Sequence, residues 1–356
     1  MPPFAHLLAH LPAHLSADLS PRSPARNPAL SSVARRRLTF GLLGAAALPA
    51  ALPARASGFP SRTVRIVVPY SVGIGPDVVS RALGQELSRR WGQPVIIDNK
   101  PGASGIVAFN EIRASAPDGH TLFIGDTGSL AVNPLIHATL PYSVERDVAP
   151  LTTLFRATFV FHVGGGTRWQ SVAELVAQAR REPRSVSYAS FGNGHPSHVA
   201  VESFARAAGV EFLHVPFKDG GSQISAVANG EVDFTTLGMN TVLGMVRAGK
   251  LRSLAVAAKN RLPDWPQIPT LAEAGVPMVE MRPWAALVAR AGTAPALLAQ
   301  LHRDLLAAMV SDEVRNRVES AGFQISPSTP EQLRALIASD SAEYAVLVRE
   351  GRVQKA

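Results

Sequence analysis

The strongest constraint on this chain is a repeated change of hydrophobic period. From Val64 onward, short apolar runs alternate with helical spacings. That alternation predicts α/β layers built on parallel sheets. The stretch Arg65–Arg81, RIVVPYSVGIGPDVVSR, sets the pattern. Val64, Ile66, Val67 and Val68 read as a strand buried on both faces, and Pro69 ends it. Ser71 to Pro76 form a tight loop with two glycines. A helical spacing then begins at Asp77, with Val78, Val79, Ala82, Leu83 and Leu87 on one side. Asp77 follows a proline and complements the helix N-terminal charge, so it reads as a helix-start residue rather than an acid catalyst. A strand, a glycine loop and a helix N-terminus together form an anion cradle, because backbone N–H groups point into the loop mouth. Such units are often mere connections, so the loop gains meaning only in company.

That company follows. Pro94–Ile97 reads as a strand, Asn99–Gly105 as a second glycine loop opening a helix through Ala114, and Thr121–Gly125 as a strand before the polar loop Asp126-Thr127-Gly128-Ser129. Leu151–Val163 is apolar and is expected to cross to a second domain. Gly164-Gly165-Gly166 lacks dinucleotide-loop spacing and reads as a flexible turn. A second block has strands at Val186–Ala189, Phe212–Val215, Val232–Thr236 and Leu251–Ala257. Its helices are Ser171–Arg181, with a capping box from Ser171 and Glu174, Ser197–Ala208, Gly221–Asn229 and Thr241–Ala248. A short helix at Leu271–Ala274 follows, then Trp284–Ala289. Helices at Pro295–Val310, Asp312–Ala321 and Pro330–Arg349 carry Leu and Val at helical spacing and read as surface cover. The polar loops all follow strands, where open α/β sheets bind ligands. Two such blocks facing each other enclose a cleft.

At 356 residues, 46% apolar and 17% charged, the chain can bury two ordinary soluble domains. Its formal charge of +8 is local: six arginines and one acid fall in residues 1–56, which leaves +3 over the rest. That weak, scattered excess argues against nucleic acid. Without cysteine there is neither a disulfide nor a thiolate metal site. Residues 1–34 read as a disordered extension, with Val33 a candidate true start. Residues 35–56 read as an export signal: Arg35, Arg36 and Arg37, an apolar stretch, then Ala54-Arg55-Ala56. RRRLTF is similar to a twin-arginine signal, the general secretory route being the alternative. A mature, periplasmic chain beginning near Ser57 is expected.

His195, His198 and Glu202 share helical i, i+3, i+7 spacing, with His214 a possible neighbour. A metal site is conceivable there, but a structural role is the expectation; no metal and no cofactor is assigned. No G-x-S-x-G or H-E-x-x-H motif is present and no spacing nominates a triad, so the chain reads as a non-enzyme. Lys218 suits either a cleft wall or its rim. Trp284 suits hinge packing better than a cleft wall.

Eight stretches together resemble the Bug family, the periplasmic receptors of tripartite tricarboxylate transporters. They are FPSRTVRIVVPYSVGIGPDVVSRAL, WGQPVIIDNKPGASG, APDGHTLFIGDTGSLAVNP, YASFGNGHPSHVAVESF, HVPFKDG, NGEVDF, AGKLRSLAVAAKNR and IPTLAEAGVP, in order. The resemblance implies a two-domain Venus flytrap fold of type II. Domain 1 would comprise residues 57–160 and 281–356, and domain 2 residues 161–280. It implies a monomeric receptor that holds a small organic carboxylate in the cleft and delivers it to membrane permease subunits. A same-fold sensor partnering a kinase is the alternative, and a periplasmic hydrolase a more distant one. Carried onto this sequence, the carboxylate grip falls on Tyr70, Ser71, Gly73, Ile74, Gly75 and Asp77. The facing loops fall at Thr127, Gly128 and Ser129, at Ser190, Gly192, Asn193 and Ser197, and at Gly238. Gly75→Val is therefore expected to abolish ligand binding and spare the fold. Two departures bear on the ligand. Ile74 and Pro76 replace smaller or hydroxylated residues of the family loop. Thr236-Leu237-Gly238 replaces a Met-Phe-Asp, removing a partner for a ligand ammonium, so a plain or aromatic carboxylate is expected over an amino acid.

Overall fold

The computed structural model describes residues 58–355. The N-terminal extension and the export signal lie outside the described residues. The first lobe begins with β1 (Val64–Val68), α1 (Gly75–Trp91), β2 (Val95–Asn99), α2 (Ile106–Ala114) and β3 (Thr121–Asp126). A single π-helical turn, Gly128–Val132, leads into the short helices α3 (Asn133–Ile136) and α4 (Val144–Asp147), then β4 (Val148–Ala157). The chain next builds β5 (Val160–Gly164), α5 (Val172–Arg181), β6 (Ser187–Ser190), α6 (Pro196–Ala208) and β7 (Leu213–Pro216). It continues through α7 (Gly220–Ala228), β8 (Phe234–Leu237), α8 (Met239–Arg247) and β9 (Leu251–Val256). It returns with β10 (Trp284–Arg290), α9 (Pro295–Met309), α10 (Asp312–Ser320), β11 (Phe323–Ile325) and α11 (Pro330–Arg349).

Two sheets result, with orders β11-β4-β10-β3-β1-β2 and β7-β6-β8-β5-β9. Both are mixed, which corrects the expectation of parallel sheets. The pairs β1–β2, β1–β3, β6–β7 and β6–β8 are parallel. The strands next to the crossings, β4, β5, β9 and β10, pair antiparallel. A strand that arrives from the other sheet has no crossover helix to turn it parallel. The two crossings are hydrogen-bonded to one another: Ala157 N donates to Pro283 O and Phe159 N to Met281 O.

The strand reading of Val64–Val68 holds for the reason given: both faces are covered. Val64, Ile66 and Val68 pack with Val79, Leu83 and Leu87 of α1 and Leu301 and Leu305 of α9. Val67 points the other way, to Phe109, Phe123, Trp284 and Leu333. In the second lobe, Phe161, Tyr188, Phe204 and Phe234 form one face of the core, and Ala189, Val227, Leu237 and Val242 the other.

Local readings fared unevenly. Leu271–Ala274 is a turn, not a helix; Pro269 O and Leu271 N are spent on Val256, which leaves too short a span for a helix. At Ser171 the hydroxyl caps Glu174 N, but the Glu174 carboxylate reaches Gln170 N instead of closing a box. Thr329 and Gln332 close a full box at the start of α11. Gly165 is not slack: an added Cβ would lie 1.9 Å from Gly249 O, so close backbone approach requires a glycine there.

Candidate functional site

The carboxyl ends of the strands in the two sheets meet along a seam, and the polar loops line it. An added Cβ on Gly128, just after β3, would lie 3.3 Å from Pro196 Cδ and 3.4 Å from Gly194 O, both just after β6. Ser104 Oγ donates to Asn193 O at 3.3 Å, again across the seam. At the other end Asn240 Nδ2 donates to Ser320 O at 2.8 Å. The C-terminal residues also cross over, with Asn193 Nδ2 donating to Gln354 O at 2.8 Å. Near the hinge the seam holds a cavity of about 20 Å³ lined by Thr127, Pro196, Ala200, Met281 and Arg282 among others. That is room for about one water molecule.

The first loop divides in two. Tyr70 is half-buried and donates its hydroxyl to Asp126 Oδ2. Burial, reinforced by Asp126, pushes the Tyr70 phenol well above its ordinary range, so it stays a donor. Ser71 and Gly73 are exposed, and Ile74 and Gly75 half-buried. Asp77 is 1% exposed and already full. It accepts Gly73 N at 2.8 Å, Arg81 Nε at 3.0 Å and Nη2 at 2.9 Å, and Asn99 Nδ2 at 2.8 Å. Burial alone would raise its pKa, but Arg81, the Gly73 amide and Asn99 outweigh it and hold Asp77 below the usual carboxylate range. One amide of the expected cradle is thus engaged by the chain's own carboxylate.

Gly75 faces an aromatic ring. An added Cβ would lie 2.7 Å from Phe323 Cζ, and Phe323 is pinned by stacking on Phe155 at 4.2 Å and 4°. The sequence expectation that a larger residue here would spare the fold is therefore revised. Gly75→Ala is expected to lower unfolding free energy by about 1–3 kcal/mol through overpacking, measured by urea denaturation. An unchanged midpoint would show that the ring yields.

Thr127, Gly128, Ser129, Ser190 and Gly238 are buried at strand ends along the seam and Ser197 is buried in the first turn of α6, while Gly192 and Asn193 are half-buried. Their hydroxyls have local partners. Thr127 Oγ1 accepts Trp284 N at 3.2 Å. Ser129 N and Oγ both donate to Asp126 Oδ1, at 2.7 and 2.8 Å. Ser190 Oγ pairs with His214 Nε2 at 2.6 Å and accepts Gly192 N at 3.0 Å. Gly238 caps α8 without a side-chain bond, and its carbonyl accepts Thr241 N at 3.1 Å.

Sequence reasoning missed two residues of the seam. Asp126 ends β3, is 6% exposed, and joins Tyr70 to Ser129; it opened the polar loop in the sequence but was passed over for its neighbours. His195 caps α6, its Nδ1 accepting Ser197 N at 3.2 Å, which places the neutral ring's proton on Nε2. Burial lowers its pKa to about 4, against the pull of Asp126. His198, lowered by burial and by His214 and His195 to about 3, accepts Gly194 N. Glu202 accepts the Tyr188 hydroxyl at 2.7 Å. Among the described residues no cluster of three or more His, Asp or Glu is arranged to hold a metal ion. Lys218 is exposed and Trp284 buried.

The tripartite tricarboxylate transporter family receptor model matches residues 79–352. The chain belongs to this family. Among curated relatives of the receptor, protein BugT of Bordetella pertussis is 31% identical over 301 residues, 84% of this chain and 92% of BugT. A protein of the tcbD-tcbE intergenic region of Pseudomonas sp. is 30% identical over 91% of this chain and 96% of its own length. Among solved structures, an R. palustris protein with adipate has a TM-score of 0.75 at 30% identity, covering 82% of this receptor and 97% of that chain. MatC of Rhodopseudomonas palustris, with bound malate, has a TM-score of 0.73 at 28% identity, covering 82% and 100%.

Proposed function

We propose that this protein is a periplasmic solute-binding receptor that captures a small organic carboxylate between its two lobes and delivers it to a tripartite tricarboxylate-type transporter. The observation that carries this reading is the meeting of strand-end polar loops from both sheets at a seam rich in hydroxyls and amides. Two relatives of the same fold and family are solved with adipate and malate. The residues assigned to the ligand are Tyr70, Thr127, Gly128 and Ser129 on one lobe, and Ser190, Gly192, Asn193, Ser197 and Gly238 on the other. Ser71, Gly73 and Ile74 form the outer part of the first loop, and Gly75 and Asp77 open α1 behind it. In the proposed cycle the lobes, taken as residues 57–160 with 281–356 and residues 161–280, part about the paired crossings. Ligand enters, and closure then excludes water and strengthens each polar contact. Binding and release require no covalent step, and the receptor acts as a monomer.

Melting the protein that starts at Ser57 with and without malate or adipate tests the reading. A ligand at a hundred times its Kd stabilises by about 2.7 kcal/mol, a rise in Tm on the order of 5 °C. If neither these nor any other small carboxylate raised the Tm, the receptor reading would fail.

A further inference from the structure

The seam contains an ionisable acid where a carboxylate ligand is to be held. Asp126 is 6% exposed. An ionised carboxylate offers about four acceptor positions. Ser129 N and Oγ fill two on Oδ1, and the Tyr70 hydroxyl fills one on Oδ2. One position on Oδ2 is left, beside the half-buried Tyr70. Asp126 Oδ1 lies 3.4 Å from the Cβ position of Gly128, which itself abuts Pro196 and Gly194 O of the other lobe. The charge therefore stands at the lobe contact. Among the described residues no Arg or Lys bonds to Asp126. The nearby His195 is held neutral, its Nδ1 spent on Ser197 N. A second anion placed against Asp126 is repelled in this poorly hydrated seam.

Resting on the receptor reading, we infer that Asp126 is a specificity-determining residue: it makes the site prefer carboxylates that carry a hydrogen-bond donor, ammonium above hydroxyl, over plain ones. The ligand's anionic end is held away from Asp126, and its donor takes the remaining lone pair on Oδ2. β8 lacks an acid at Gly238, but β3 supplies one from the opposite lobe, which reverses the expectation of a plain carboxylate drawn from the missing acid. Hydrogen bonds to charged groups are the strong ones, so the preference is large.

Calorimetric titration of the full mature protein with succinate, malate and L-aspartate, and with adipate and 2-aminoadipate, tests this. Within at least one length, the donor-bearing acid is expected to bind tenfold or more tighter than the plain one. Asp126→Asn should bring the two within about threefold. A purely structural role for Asp126 would weaken all ligands together and leave their ratio unchanged. Equal affinities in the wild-type protein, or a ratio untouched by Asp126→Asn, overturn the inference while leaving the receptor reading standing. If Asp126→Asn fails to fold, the wild-type ratios alone decide. Absence of binding by every acid in the series would instead sink the receptor reading, and this inference with it.

Discussion

Lowering the pH from 7 to 5 is expected to cut the urea midpoint of the mature protein by a third to a half. The cause is a set of histidines buried neutral. His162 is fully buried; its Nε2 donates to Leu237 O at 3.2 Å and its Nδ1 accepts the Ser253 hydroxyl at 3.0 Å. Burial, opposed by the Leu237 carbonyl, lowers its pKa to about 4. His198, at about 3, and His214, lowered by burial to about 4, stack at 4.1 Å, and His195 lies beside them at the start of α6. The sign follows from linkage. A histidine whose folded pKa lies below its unfolded value of about 6.5 gives up stability as pH falls below 6.5, because the unfolded chain takes the proton first. The loss runs at about 1.4 kcal/mol per pH unit for each such group and ends near its folded value.

For the two histidines that are 2% exposed or less, His162 and His198, that is about 4 kcal/mol in all by pH 5. His195 and His214 are partly exposed and add less. Glu202 and Asp340 work the other way: burial raises both, so the folded state holds their protons more tightly and gains stability as pH falls. Two acids offset only part of four bases. A loss of about 4 kcal/mol is a large share of the 5–15 kcal/mol typical of a folded domain. His162→Gln should flatten the pH slope by about 1.4 kcal/mol per unit. A midpoint constant between pH 7 and 5 would mean that these rings are solvated in the native state.

What was legible in the sequence was whatever a single segment decides by itself. The Val64–Val68 run is broken only by Arg65, which pairs with Asp98 and Glu111, and its four other residues are apolar, so both faces had to be covered. Pro330–Arg349 matched its helix because a proline opens it and the leucine spacing persists to the end. Sheet direction was less legible, since β10 pairs with strands far away in sequence on both sides. The candidate site was legible as loops and not as contacts. Tyr70 and Asp126 lie 56 residues apart, and no local pattern announces that one will donate to the other. Likewise Gly75 looked like a residue kept small for a ligand, and it is the ring of Phe323 that an added Cβ would meet. Asp77 matched its role as a helix-start residue, but the sequence did not reveal that it would engage the Gly73 amide.

Trp284 is the single residue whose loss should cost most. It is 2% exposed, and it packs with Phe109, Phe123 and Leu130 where the chain re-enters the first lobe. Its indole Nε1 donates to Asp340 Oδ2 of α11 at 2.7 Å, and its backbone N donates to Thr127 Oγ1 at 3.2 Å. One side chain thus joins the return crossing to the C-terminal helix, and its backbone fixes the loop after β3. Trp284→Ala leaves a large cavity and removes the indole partner of the half-buried Asp340, and is expected to cost about 3–5 kcal/mol. Trp284→Phe keeps most of the volume and removes the donor, for about 1–3 kcal/mol. Asp340 is already raised by burial, with the indole as the opposing influence; without that hydrogen bond it should rise further and ionise less readily. Adding Asp340→Asn to Trp284→Phe should then cost little more, because the charge that needed the indole is gone. A double-mutant cycle on urea unfolding reads this directly, with a coupling of about 1 kcal/mol or more expected. Additive single costs would show that Trp284 acts through packing alone, and a Trp284→Ala cost below about 2 kcal/mol would show that the site closes around the loss.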